Sequence, residues 1–196
     1  MNYQSFGIKD DDFIRGKAPM TKEEVRVISL SKLKLKNDSV LLDIGSGTGS
    51  VSIEMALFSR DGHVYSIEKK DDAYNVFLEN IKKFNVKNIT PIQGTAPSDI
   101  PKLKYDGIFI GGSGGNIEEL VKLSFELLKT GGKLVMNFIT IENTYKAIES
   151  LKNHDGFDYE IASVNISKDR KIAGLTLMEA HNPVYIITGT REAHNG

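Results

Sequence analysis

Seven consecutive residues, Asp43-Ile44-Gly45-Ser46-Gly47-Thr48-Gly49, carry the clearest chemical signal in this chain of 196 residues. Glycines let a backbone turn sharply and approach a ligand with no Cβ in the way. These follow the apolar run Val40-Leu41-Leu42 and precede a helix-like segment. That is the strand-to-helix turn at which open parallel sheets bind cofactors. Asp43, just ahead of the turn, can hold the loop or reach a ligand's ammonium group. Two cofactors compete for such a turn. The dinucleotide fingerprint puts its third small residue where Ser50 stands, and serine is tolerated there, so NAD remains open. An acid directly before G-x-G-x-G is the usual arrangement for S-adenosylmethionine, and the turn favours that cofactor.

Further residues fall at spacings that suit a nucleoside. Glu68 closes the next apolar run, where a carboxylate accepts both ribose hydroxyls in either kind of cofactor site. Gln93-Gly94-Thr95-Ala96-Pro97 follows the third run, and small residues there admit an adenine ring. Gly111-Gly112-Ser113-Gly114-Gly115 follows Ile108-Phe109-Ile110 and offers bare backbone against which a bulky substrate could lie. It lacks the polar residue, Pro-Pro and aromatic of many amino methyltransferases that act on nucleic-acid bases. No catalytic acid or base is marked by spacing. His63, His154, His181 and His194 are scattered, and each reads as structural or solvated.

The elements that must position these residues alternate. Strands are expected at Val40–Ile44, His63–Glu68, Asn88–Ile92, Tyr105–Ile110 and Lys133–Ile139. Helices are expected at Ser50–Ser59, Asp71–Phe84, Ile117–Leu128 and Glu142–Lys152. Alternation of this kind implies a parallel sheet covered on both faces. Two further strands, Asp158–Ser167 and Val184–Thr190, with no helix between them, imply a terminal antiparallel pair. Ahead of the first strand, Thr21 is placed to cap a helix, with Glu24 at the capping-box spacing. The whole reads as one α/β domain over 1–196, with residues 1–36 covering the cofactor site.

Bulk properties narrow the class. Hydrophobic residues make up 40% and charged residues 26%, ordinary for a globular chain. A net charge of −1 supplies no general attraction to nucleic acid or an anionic membrane. The absence of cysteine rules out disulfides and thiolate metal sites, and no metal site is expected. The first residues lack the basic stretch and apolar core of a signal peptide, and no run approaches a membrane span, so the expectation is a cytoplasmic protein.

Several segments together resemble one family. They are Gly7-Ile8 with Asp11 and Phe13, Pro19-Met20-Thr21-Lys22, Asp43 through Ser50 with Ser52-Ile53-Glu54, Ile67-Glu68-Lys69, Gly94-Thr95-Ala96-Pro97, Phe109 through Gly115, and Asn182-Pro183-Val184. The chain is similar to the decarboxylating cobalt-precorrin-6B C15-methyltransferases of anaerobic cobalamin synthesis, over nearly its whole length and at the length of the stand-alone rather than the fused form. The resemblance implies a Rossmann-like class I methyltransferase fold with a mostly parallel seven-stranded sheet and an antiparallel C-terminal strand. It implies transfer of a methyl group from S-adenosylmethionine to ring carbon C15 of a cobalt corrinoid, with loss of carbon dioxide from the C12 acetate arm. It also implies a homotetramer, and cofactor contacts at Thr21, Gly45, Ser46, Gly47, Thr48, Gly49, Glu68 and Ala96.

A substrate rich in carboxylates calls for basic groups. Arg15, Lys17, Lys168, Arg170 and Lys171 are candidates, with Lys17, Gly112, Ser113, Gly114 and Asn137 taken as the substrate contacts. Other readings stay open. Methyltransferases acting on tRNA adenine or on protein isoaspartate share the glycine turn, and a non-catalytic S-adenosylmethionine-binding protein or an NAD-dependent oxidoreductase would also carry one.

Overall fold

The computed structural model describes residues 6–112, 114–153 and 156–192. Its centre is a seven-stranded sheet of β1 (Val40–Ile44), β2 (His63–Glu68), β3 (Ile89–Gln93), β4 (Tyr105–Ile110), β5 (Leu128–Phe138), β6 (Phe157–Val164) and β9 (Val184–Arg191). The order across it is β3-β2-β1-β4-β5-β9-β6. The first five strands pair in parallel, and β9 runs antiparallel to both β5 and β6. Both the mixed sheet and the terminal antiparallel pair agree with the sequence expectation.

Alternate residues of each central strand face opposite layers. Leu41, Phe109, Val135 and Ile186 pack with α1 (Glu23–Leu33), α2 (Ser50–Phe58) and α3 (Asp71–Phe84), through Leu30, Ile53 and Phe77 among others. Leu42, Ile108, Leu134 and Ile187 pack on the other face with α4 (Ile117–Leu127) and α5 (Ile141–Lys152), through Leu120, Val121 and Leu151. Strands buried on both faces read as unbroken apolar runs, which is why β1 and β4 stand out in the sequence. The helices stop where the backbone turns left-handed: Lys34 follows α1 and Asn85 follows α3, each with φ of +52°.

The strand order reverses between β1 and β4, and both strands end there on the same side of the sheet. The Gly111 N–H donates to the Ile44 carbonyl at 3.0 Å and joins the two ends. A ligand crevice belongs at that reversal.

Four sequence expectations are corrected. Thr21 does not cap α1: Lys22 occupies the cap position with no side-chain cap hydrogen bond, and the Thr21 carbonyl instead accepts from the buried Arg26 guanidinium at 2.6 Å. Glu24 closes no capping box, because its carboxylate pairs with Lys168 at 2.7 Å. The strand expected from Lys133 begins at Leu128, since that side chain is fully buried and pairs with Tyr105 on β4. The strand expected to run to Ser167 stops at Val164, and a separate hairpin follows, β7 (Ser167–Ile172) with β8 (Leu175–Ala180).

Among the described residues, no helix is long and apolar enough to cross a membrane, and no group of three or more His, Asp or Glu side chains could hold a metal ion.

Candidate active site

Three left-handed glycines build the turn after β1. Gly45, Gly47 and Gly49 have φ of +75°, +56° and +79°, a region that side chains with a Cβ enter at a cost. Space is closed as well. A Cβ on Gly45 would stand 2.8 Å from the Gly112 carbonyl oxygen, and one on Gly49 would stand 1.9 Å from the Phe77 ring. The turn is tied to β2 by the N–H groups of Gly45 and Ser46, which donate to the Ile67 carbonyl at 2.9 and 3.1 Å.

Glu68 braces the same turn. Its Oε2 accepts from the Gly47 N–H and its Oε1 from the Lys70 N–H, each at 2.8 Å. A carboxylate oxygen accepts two hydrogen bonds, so each oxygen keeps room for a ligand hydroxyl. Asp43 lies deeper and is fully buried. The Ser52 hydroxyl donates to its Oδ2, and the Ser66 hydroxyl donates to Ser52 at 2.9 Å. Burial pushes the Asp43 carboxyl up to about 7; the Ser52 hydrogen bond opposes the rise and the nearby Glu68 charge adds to it.

Two cavities meet at the turn and share Pro19, Gly45 and Gly111 in their walls. One, of about 380 Å³, is lined by Gly47, Glu68, Ala96, Gly112 and Gly114. The other, of about 450 Å³, is lined by Thr21, Glu24, Asp43, Ser46, Asn137 and His181. Buried polar atoms normally have partners. Among the described residues seven such side-chain atoms have none, and four of them (Glu24 Oε2, Asp43 Oδ1, Ser46 Oγ and Thr48 Oγ1) belong to this turn or to the helix beside it. Unpaired acceptors beside glycines that cannot carry a Cβ fit a polar ligand with a cationic end better than an apolar one.

Most of the expected site residues come together here. Thr21, Gly45, Ser46, Gly47, Glu68 and Ala96 line one cavity or the other, as do Gly112, Gly114 and Asn137. Thr48 and Gly49 line neither. They hold the turn in place, Thr48 through a carbonyl that accepts from Asn80 at 3.0 Å and Gly49 through its packing on Phe77. Lys17 is exposed and lines neither cavity, although its neighbours Ala18 and Pro19 line the first. Ser113, His154 and His194 lie outside the described residues. The other basic candidates also stay out of both walls, and each has an acidic partner: Arg15 with Asp11 at 3.1 Å, Lys168 with Glu24, Arg170 with Glu179 at 3.7 Å and Lys171 with Asp169 at 3.4 Å.

Sequence reasoning passed over His181 and Glu24. Nothing near either in the chain marks a site, because only the β7–β8 hairpin brings both into the wall of one cavity. The segment ahead of α1 is likewise held by distant groups. Arg26, fully buried, donates to Glu54 at 2.5 Å, to Asp10 at 3.2 Å and to the Ile8 carbonyl, while Glu54 accepts from the Gly7 N–H at 2.8 Å.

Residues 12–191 match the precorrin methyltransferase domain family. A probable cobalt-precorrin-6B C(15)-methyltransferase (decarboxylating) from Saccharolobus solfataricus is 40% identical over 195 residues, 97% of this chain and 98% of that one. The crystal structure of precorrin-6Y C5,15-methyltransferase from Geobacter metallireducens superposes with a TM-score of 0.89 at 39% identity, covering 96% of this chain and all of the other. That of precorrin-8W decarboxylase from Methanobacterium thermoautotrophicum gives 0.86 at 33% identity, over 92% and 98%. By sequence and by fold, the chain belongs to the precorrin methyltransferase family.

Proposed function

We propose that this chain methylates cobalt-precorrin-6B at C15 and removes the carboxyl group of the C12 acetate arm, giving cobalt-precorrin-7. The observation that carries the reading is the meeting of two cavities at Gly45. One presents the ribose-accepting carboxylate of Glu68, and the other presents the unpartnered Asp43 oxygen and opens past Asn137. The relatives' named reaction supplies the substrate.

In this reading S-adenosylmethionine fills the first cavity and the Asp43 end of the second, and supplies a methyl group already activated on a sulfonium, with S-adenosylhomocysteine as product. Glu68 accepts the ribose hydroxyls, and Ala96 leaves space for the adenine. Gly45 and Gly47 let the backbone close on the ligand. Asp43 and Thr21 face the amino-acid end, where a carboxylate meets an ammonium group. Gly112, Gly114 and Asn137 bound the space for the macrocycle, with Ser113 proposed as a further substrate contact and Lys17 reaching the carboxylates from the rim. The chain's main contribution is to align an electron-rich carbon with the donor and keep water out. The homotetramer rests on the family resemblance, the cytoplasmic reading on the absence of cysteine and of an apolar run long enough to span a membrane, and the absence of a nucleic-acid or membrane partner on the net charge of −1.

Incubation with cobalt-precorrin-6B and methyl-labelled S-adenosylmethionine, followed by mass measurement of the corrinoid, tests the reading. The expected product has gained the labelled methyl and lost carbon dioxide. Methyl gain alone would refute the decarboxylating half, and no change in mass would refute the whole.

A further inference from the structure

We infer that His181 is the proton donor that completes decarboxylation in the second cavity, in a wall it shares with Glu24. The inference rests on the reaction proposed above and adds a residue to it. Loss of carbon dioxide from an acetate arm leaves an electron pair on the arm's methylene carbon, conjugated with the macrocycle. That carbon becomes a methyl group only when a proton reaches it, so the site needs an acid on the substrate side.

The titratable side chains that line this cavity are Lys22, Glu24, Asp43 and His181. Asp43 is fully enclosed at the cofactor end and engaged with Ser52. Lys22 is turned away toward Asp10, with which it pairs at 3.7 Å. Histidine changes charge nearest neutrality, which suits a proton donor. His181 also has a fixed place. Its backbone N–H donates to the Ile166 carbonyl at 2.9 Å, closing the base of the β7–β8 hairpin, and both residues line the cavity. It is exposed on its outer side, so solvent can return the proton.

Glu24 lines the same cavity from α1. One carboxylate oxygen is bound by Lys168 of β7 at 2.7 Å, while the other is buried with no partner. Burial alone would raise this carboxyl, but Lys168 and the charge of His181 hold it below the usual carboxylate range. The acid the step requires is the imidazolium form of a histidine ring. The surrounding charges are Lys22 ahead of α1, Glu23 and Glu24 on α1, Asp10 in the turn of Asp10–Asp12, and Lys168 on β7.

The step balances. The bond between the arm's methylene and its carboxylate carbon breaks, and carbon dioxide leaves without the bonding pair. The methylene carbon takes the imidazolium proton, and neutral imidazole recovers a proton from water. No oxidant or reductant is consumed.

The test compares wild type, His181→Gln and Glu24→Gln in single turnovers with cobalt-precorrin-6B and S-adenosylmethionine. His181→Gln is expected to slow carbon dioxide release by about 100-fold while binding S-adenosylhomocysteine within twofold of wild type by calorimetry. Release by the wild type should fall as pH rises through the histidine range. That limb should vanish in His181→Gln and remain in Glu24→Gln, which keeps the histidine. Added imidazole should partly restore His181→Ala. His181→Gln releasing carbon dioxide at the wild-type rate, with the wild-type pH limb, would overturn the assignment. A wild type that releases none would overturn it together with the decarboxylating reading, so the two failures appear in different proteins.

Discussion

The Gly47 backbone N–H donates to Glu68 Oε2 at 2.8 Å, so the acid that ends β2 braces the glycine turn that follows β1. A single carboxylate thus shapes the loop and, in the proposed function, accepts the ribose hydroxyls. Replacing Glu68 by Gln keeps the shape but swaps one oxygen for an NH₂ group, which cannot accept. A charge-assisted hydrogen bond contributes about 1.5–3 kcal/mol. Affinity for S-adenosylhomocysteine should therefore fall about 10- to 100-fold by calorimetry, with the circular dichroism spectrum unchanged. Unaltered affinity would remove Glu68 from the cofactor site.

Asp43 makes stability depend on pH. Its carboxyl titrates near 7 in the folded chain and near 3.8 when exposed. The folded state therefore holds a proton that the unfolded state has released between those values, so this contribution is present at acid pH and is lost as pH rises toward 7. A gap of about three pH units corresponds to at most about 4 kcal/mol. Asp43→Asn removes the dependence. Without ligand, the wild-type melting temperature should drop relative to that of the variant between pH 5 and pH 8. At pH 8 the variant should be the more stable protein and the weaker binder of S-adenosylmethionine. Parallel melting curves across that range would contradict the assignment.

Arg26 joins α1 to the residues ahead of it. Its guanidinium contacts Asp10, Glu54 and the carbonyls of Ile8 and Thr21 with no exposure to water. Arg26→Met strands the buried Glu54 carboxylate without its cation, and breaking one half of a buried pair costs about 3–5 kcal/mol. Urea denaturation should show a loss of that size. Because the Thr21 carbonyl is released at the same time, cofactor affinity should fall with stability.

What could be read before the fold was known follows from how locally each feature is encoded. The β1 and β4 runs and the glycine turn are legible because burial on both faces and positive φ leave marks within a few neighbouring residues. The β7–β8 hairpin left no such mark. Its two-residue loop is Ala173-Gly174, with φ of +50° and +80°, the primed turn that usually shows itself through Asn-Gly or Asp-Gly. All six residues of β8 are exposed, so no alternation betrays the strand. Thr21 misled for a related reason: a residue suited to capping was in place, but its carbonyl had a stronger claim from Arg26.

By itself the sequence determined the order of elements from α1 to α5 and the position of the turn between Asp43 and Gly49, since backbone geometry and apolar periodicity are properties of short segments. The tertiary structure alone decided that Glu24 pairs with Lys168 and that Glu24 and His181 line one cavity. It also decided that Lys168, Arg170 and Lys171 stand paired with acids rather than lining the cavity. Those outcomes depend on which charges come within a few ångströms of one another, and charges carry no period in the sequence that would announce their partners.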